Sequence, residues 1–199
     1  MIVDNLHRVL PFLEFRSPDD FYYLQILQRK KENPQLGSNS RVIKNYYIDS
    51  KEYLLKHYDE IKEMCKMFNA RASIRLNRRS YEKVAYKAMI NMANSMGNKE
   101  FSFIKKSYDR AVGNGHAEPK GNATWILDWD GDFSLLDSTR IYRAVNASLP
   151  VTGESKCLAY IASKTGMHII TSPFDAREFK IEFPEVEIHK DNPTNLYIS

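Results

Sequence analysis

The chain has 199 residues, of which 43% are hydrophobic, 27% charged and 12% aromatic, a globular balance that excludes a disordered or low-complexity protein. No apolar run approaches the ~20 residues of a membrane helix, and the N-terminal M-I-V-D-N-L-H-R has no signal-peptide pattern, so a cytoplasmic protein without a membrane partner is expected. The net charge of +4 is unevenly divided: residues 1–123 carry 22 Lys/Arg against 14 Asp/Glu, and residues 124–199 carry 7 against 11. A basic first part beside an acidic second part suits a polyanion held by one and a metal centre held by the other, although ordinary surface variation also produces such a split.

In chain order, Leu10–Phe15 and Phe21–Gln28 are rich in aromatic and branched residues and predict strands, with Ser17-Pro18-Asp19-Asp20 as the turn between them. Arg41–Ile48 predicts a further strand. The polar loop 32–40 joins it to the second, and Arg29, Lys30, Lys31, Arg41 and Lys44 at its flanks form a charged hairpin arm or a solvated edge. Asp49 with Glu52 resembles a capping box, and Leu54, Tyr58, Ile61, Cys65 and Phe68, at spacings of four and three, predict a helix to about residue 68. Ala70–Leu76 alternates as a strand. Ser80 is the expected N-cap of a helix over about 80–95, followed by another over about 99–112.

Arg71, Arg75, Arg78 and Arg79 are the densest arginine cluster, and forked donors near a helix N-terminus suit phosphate. Arg75 and Arg78 are the expected phosphate contacts, solvation of a strand edge being the alternative. The polar linker 113–122 marks a boundary inside one domain, between a basic αβ unit (1–120) and a second unit (121–199). Cys65 and Cys157 have no metal-binding spacing and read as reduced, buried thiols.

The second unit opens on W-I-L-D-W-D-G-D, Trp125–Asp132. As a strand it points Trp125, Leu127 and Trp129 to one face and Ile126, Asp128 and Asp130 to the other. The carboxylates then lie roughly 6–7 Å apart along the strand, placed to hold a cation, although Asp130-Gly131-Asp132 is also a polar turn. A helix (134–147), two strands (157–163 and 167–171), a helix (173–181) and a strand (186–191) follow, with a further short strand at 195–199. The β-α-β-β-α-β order predicts an α+β fold with the split βαβ arrangement of ferredoxin-like and RNA-recognition (RRM-like) folds. In that arrangement the first and third strands are central neighbours. Period-two alternation then puts His168, Glu187, His189 and Asp191 on the face of Asp128 and Asp130.

At these residues the chain resembles the archaeo-eukaryotic primase superfamily, the primase-polymerases. The motifs are Ile126-Leu127-Asp128-Trp129-Asp130, Gly166-Met167-His168 and Val186-Glu187-Ile188-His189-Lys190-Asp191, in order across about 65 residues. The resemblance implies a template-directed nucleotidyltransferase of DNA replication or repair, in which Asp128, Asp130 and Asp191 hold two Mg²⁺ or Mn²⁺ ions. It also implies that His168 contacts nucleotide phosphates. Lys164, Arg75 and Arg78 would join it on the triphosphate. The implied partners are nucleoside triphosphates, single-stranded or primed nucleic acid, and a helicase or other replication protein. A non-catalytic nucleic-acid-binding module on an RRM-like sheet, or an inactive relative, is the alternative, and a nuclease would use similar ligands.

Overall fold

The computed structural model describes residues 2–37, 39–119 and 121–199. The elements are Val3–Asp4 (β1), Leu6–Val9 (α1), Asp20–Gln28 (β2), Arg41–Ile48 (β3), Lys51–Met67 (α2), Arg71–Ile74 (β4), Arg79–Ser80 (β5), Tyr81–Gly97 (α3) and Ser107–Gly113 (α4). After the linker come Trp125–Asp130 (β6), Leu135–Ala147 (α5), Cys157–Ala162 (β7), Gly166–Thr171 (β8), Ala176–Glu182 (α6), Glu187–His189 (β9) and Thr194–Ile198 (β10). The fold is α+β. One sheet runs β1-β10-β4-β2-β3 with β5 also on β2, the other β7-β8-β6-β9, and every pairing is antiparallel.

Local signals explain most of these elements. Ser50, one residue later than expected, caps α2 by accepting from the Tyr53 N–H, and Leu54, Tyr58, Ile61 and Cys65 form its buried stripe. Ser80 caps α3 through the Lys83 N–H, and Ser134 with Asp137 forms a capping box on α5. Leu10–Phe15 is not a strand. Pro11 sits at the start of a 3₁₀ turn, where its missing N–H costs nothing, and Val9 and Leu13, four apart, both turn into the core.

The final strand also departs from expectation. Rather than extending the second unit, β10 inserts between β1 and β4 in the first sheet. Leu196, Tyr197 and Ile198 are all buried, and a strand covered on both faces belongs at a sheet centre with a neighbour on each edge. The chain therefore crosses back to its beginning, tying the two units together.

Three apolar clusters hold the layers. Leu24, Ile26, Ile48, Ala72 and Ile74 of the first sheet meet α2, and this cluster continues into Ile126, Ile161 and Ile170 of the second sheet. Leu127 and Ile169 meet Ile141, Val145 and Phe179 of α5 and α6 on the far side. Phe21 and Tyr23, on the other face of β2, meet Val84 and Ala88 of α3 and Val112 of α4. The alternation in β6 is thus the expected one, except that its second face is covered at Ile126 by the first unit and turns polar only at Asp128. No helix among the described residues is long and apolar enough to cross a membrane.

Candidate functional site

The strand register sets the site. On β6, Asp128 lies opposite His168 and Asp130 opposite Gly166 of β8, while Ile126 lies opposite His189 and Asp128 opposite Glu187 of β9. Directly paired residues share a face, so Asp128, Asp130, His168 and His189 project together. Gly166 is required by this pairing: a Cβ there would lie 1.9 Å from the Trp129 carbonyl oxygen. Gly131, at φ 99°, turns the chain immediately after Asp130, and its N–H donates to the Thr165 carbonyl at 2.8 Å.

His168 is held from two sides. Its Nδ1 is 2.9 Å from the hydroxyl of Thr194, a buried residue of β10, and its Nε2 is 3.5 Å from Asp128 Oδ1. A hydroxyl donating to Nδ1 leaves the proton on Nε2, facing the carboxylate. Burial pushes the imidazole below its ordinary pKa and outweighs the opposing pull of Asp128. His189 approaches the same carboxylate at 3.9 Å and Glu187 at 3.2 Å.

These groups form one wall of a cleft of about 450 Å³ between the two sheets. The opposite wall is basic. Arg29, Lys31 and Glu32 come from the loop after β2, Arg71 and Ser73 from β4 and Asn195 from β10, while Lys164 reaches in from the β7–β8 turn of the second sheet. Glu32 stands among the cations: Arg71 reaches it with two N–H groups, one with Nε at 3.0 Å, and Lys164 Nζ is 3.4 Å away. Burial raises the Glu32 pKa, but the hydrogen bond and charge of Arg71, with Lys164, more than reverse this and hold it below the usual carboxylate range. No protein-family model, curated protein or solved structure matches this chain.

Of the residues singled out in the sequence, Asp128, Asp130, His168 and Lys164 line this cleft, and Asp191, Arg75 and Arg78 do not. Strand β9 ends at His189, so Asp191 has left the alternation that would have brought it to the carboxylate pair. It is bound instead by Arg79, with Nη2 at 2.7 Å from Oδ2 and Nη1 at 3.2 Å from Oδ1, and by Asn77 Nδ2 at 3.2 Å. Arg75 donates to the Asp191 carbonyl, with its guanidinium 3.6 Å from the carboxylate. Arg78 is buried between Asp20 at 2.9 Å and Glu118 at 3.0 Å. These arginines are engaged by other parts of the chain and do not line the cleft.

The cleft cation on that strand is Arg71. The alternation of Ala70–Leu76 puts Arg71 and Ser73 on one face and Ala72 and Ile74 on the core face, so the sequence held half the signal. Which sheet opposes which is a long-range fact with no local signature, and it decides the rest. Among the described residues no group of three or more His, Cys, Asp or Glu side chains is arranged to hold a metal ion. Asp128 and Asp130 would therefore need water or substrate oxygens to complete a coordination shell. Burial pushes the Cys65 thiol up to about 12 and Cys157 up to about 11, which disfavours the thiolate form of both at neutral pH.

Proposed function

We propose that the chain is a metal-dependent, template-directed nucleotidyltransferase of the primase-polymerase type, acting on single-stranded or primed nucleic acid. One observation carries this reading: two same-face carboxylates, Asp128 and Asp130, share one cleft with Arg71, Arg29, Lys31 and Lys164. A nucleoside triphosphate with a divalent cation is complementary to that charge pattern. The second sheet adds support: β6 and β8 are central, with β9 outside β6 and β7 outside β8, an order compatible with the RRM-like reading.

The donor chemistry fits Mg²⁺ or Mn²⁺. Both take hard oxygen ligands, and Mg²⁺ is ordinarily held by one or two carboxylates plus substrate phosphates and water. Asp128 and Asp130 would hold it; Asp191 stays with Arg79, so a second ion would depend chiefly on phosphate oxygens. Bound there, the cation would supply charge stabilisation to the attacking and leaving oxygens of phosphoryl transfer. The chain's own groups do the rest. Arg71, whose planar fork matches a phosphate, and Lys164 bind and orient the polyphosphate once it takes the place of Glu32. His168, neutral and fixed by Thr194, offers an N–H to a phosphate oxygen beside Asp128.

The binding-module alternative fits less well. Such sheets stack bases on exposed aromatics of the two central strands. Here the equivalent face carries Ile126 and Ile170 buried against the first unit and carboxylates beyond them, while Trp125 and Trp129 pack on the α5–α6 side. The test is synthesis itself. Parent protein with template, nucleoside triphosphates and Mn²⁺ should yield extended or newly primed strands, and Asp128→Ala should abolish product while retaining template binding. No product from the parent across several templates, both sugar types and both metals would overturn the proposal.

A further inference from the structure

Helix α3 wears its amphipathicity inside out. Its inward face is small and partly polar, with Val84, Ala88 and Ser95 buried. Its outward face carries Tyr86, Met89, Ile90 and Met96, each between 52% and 61% exposed. At 100° per residue these four fall within roughly 120° of arc, directly opposite the buried face. Phe101, 63% exposed, follows the helix end. Scattered exposed hydrophobics need no explanation, but an aligned stripe on the side where a helix normally carries charge marks an interaction surface.

The charges beside the stripe say what covers it. Lys83 and Lys87 run along one margin, and Lys99, Lys105 and Lys106 lie at and beyond its C-terminal end, all exposed; Glu82 and Glu100 are the acidic residues in that stretch. A second copy of the chain would bring these lysines against one another, so self-association is opposed by like charge. A narrow ridge spaced i, i+3, i+4 fits between the side-chain rows of another helix, and methionine adapts to an imperfect partner. We propose that the outer face of α3 is a docking surface for an acidic, amphipathic helical segment of a partner protein. The surface is separate from the cleft, and this inference does not rest on the cleft's proposed activity.

The probe is a fluorescein-labelled 18-residue peptide with Leu at i, i+3, i+4, i+7 and Glu on its remaining faces, compared with a scrambled peptide of the same composition. The parent should bind the patterned peptide at least about tenfold more tightly than the scrambled one. Met89→Asp with Ile90→Asp should weaken that binding about tenfold or more. Lys83→Glu with Lys87→Glu should weaken it and flatten its salt dependence. All four positions are exposed, so melting temperature and strand synthesis should be unchanged, which separates loss of docking from loss of fold. The proposal is overturned if both peptides bind equally, or if the double variants bind as the parent does. It is equally overturned if the stripe instead supports self-association or binding to phosphatidylglycerol vesicles, either being lost in Met89→Asp with Ile90→Asp.

Discussion

The junction at Asp191 and the cleft at Asp128 are built from the same residue types and put them to opposite use. At the junction every charge is spent on another part of the chain. Arg79 is fully buried, both Asp191 oxygens accept from it, its Nε donates to the Val112 carbonyl at 3.0 Å, and Asn77 bridges to Thr124 and Lys190. In the cleft Asp128 is 30% exposed and, among the described residues, met at 3.5 Å and 3.9 Å by two imidazoles, and Asp130 is exposed. A buried charge whose partners are all internal costs heavily when one partner is removed, whereas a charge left facing a cleft is free to bind something else. Partnering therefore separates Asp191 from the acid proposed to bind a ligand, where residue identity and strand motif do not.

The largest effect that tests this contrast is on stability. Asp191→Ala leaves the buried Arg79 guanidinium with carbonyl acceptors but no counter-charge and should cost about 3–5 kcal/mol, read as a lowered urea midpoint, while Asp128→Asn should change stability by less than about 1 kcal/mol. Equal losses at the two positions would dissolve the distinction.

Arg71 and Arg78 are both buried and paired, Arg71 with Glu32 and Arg78 with Asp20 and Glu118, and differ in that only Arg71 lines the cleft. Arg71→Ala should lower the slope of log K against log salt for single-stranded nucleic acid by roughly 0.7–0.9, the loss of one phosphate contact. Arg78→Ala strands Asp20 and Glu118 and should lower the melting temperature, with the slope per folded molecule unchanged. A slope change confined to Arg78→Ala would return the phosphate role to that residue.

The smallest effect is at Glu32, whose folded pKa is depressed from 4.5 by Arg71 and Lys164 against the opposing effect of burial. A carboxylate with a depressed folded pKa contributes stability that is complete above its unfolded value and is lost as pH falls through the folded value. Glu32→Gln should therefore flatten the acid limb of the stability curve below about pH 4.5 and tighten tripolyphosphate binding at pH 7, since a competing anion is gone. Unchanged tripolyphosphate affinity would mean that Arg71 and Lys164 do not form the phosphate subsite.

The fold was readable wherever local chemistry decides it. The α2 stripe, the cap at Ser80, and the alternation of β6 and β8 are short-range signals, and the elements lie where those signals put them. Leu10–Phe15 has the composition of a strand, but Val9 and Leu13 are buried at the spacing of a helix and Pro11 starts the turn. The site was half legible: Asp128, Asp130 and His168 share a face because period two fixes faces within each strand and one pairing aligns two of them. Asp191 and Arg75 were misplaced because β9 and β4 stop short of them, and alternation says nothing about a residue beyond the strand end. Arg71, Glu32 and Thr194 reach the site only because β4 and β10 of the first sheet face β6 of the second, a packing fact spread over the whole chain.

In the proposed reading Asp128 and Asp130, and not Asp191, hold a divalent cation together with a triphosphate. The most direct test is Mn²⁺ titration followed by electron paramagnetic resonance, with and without a nucleoside triphosphate, on the parent and on Asp128→Asn with Asp130→Asn. The parent should remove Mn²⁺ from the free signal, more tightly when triphosphate is present, and the double variant should lose that binding while melting at the parent's temperature. Mn²⁺ binding that is equally tight in the folded double variant would place the cation elsewhere and contradict the account.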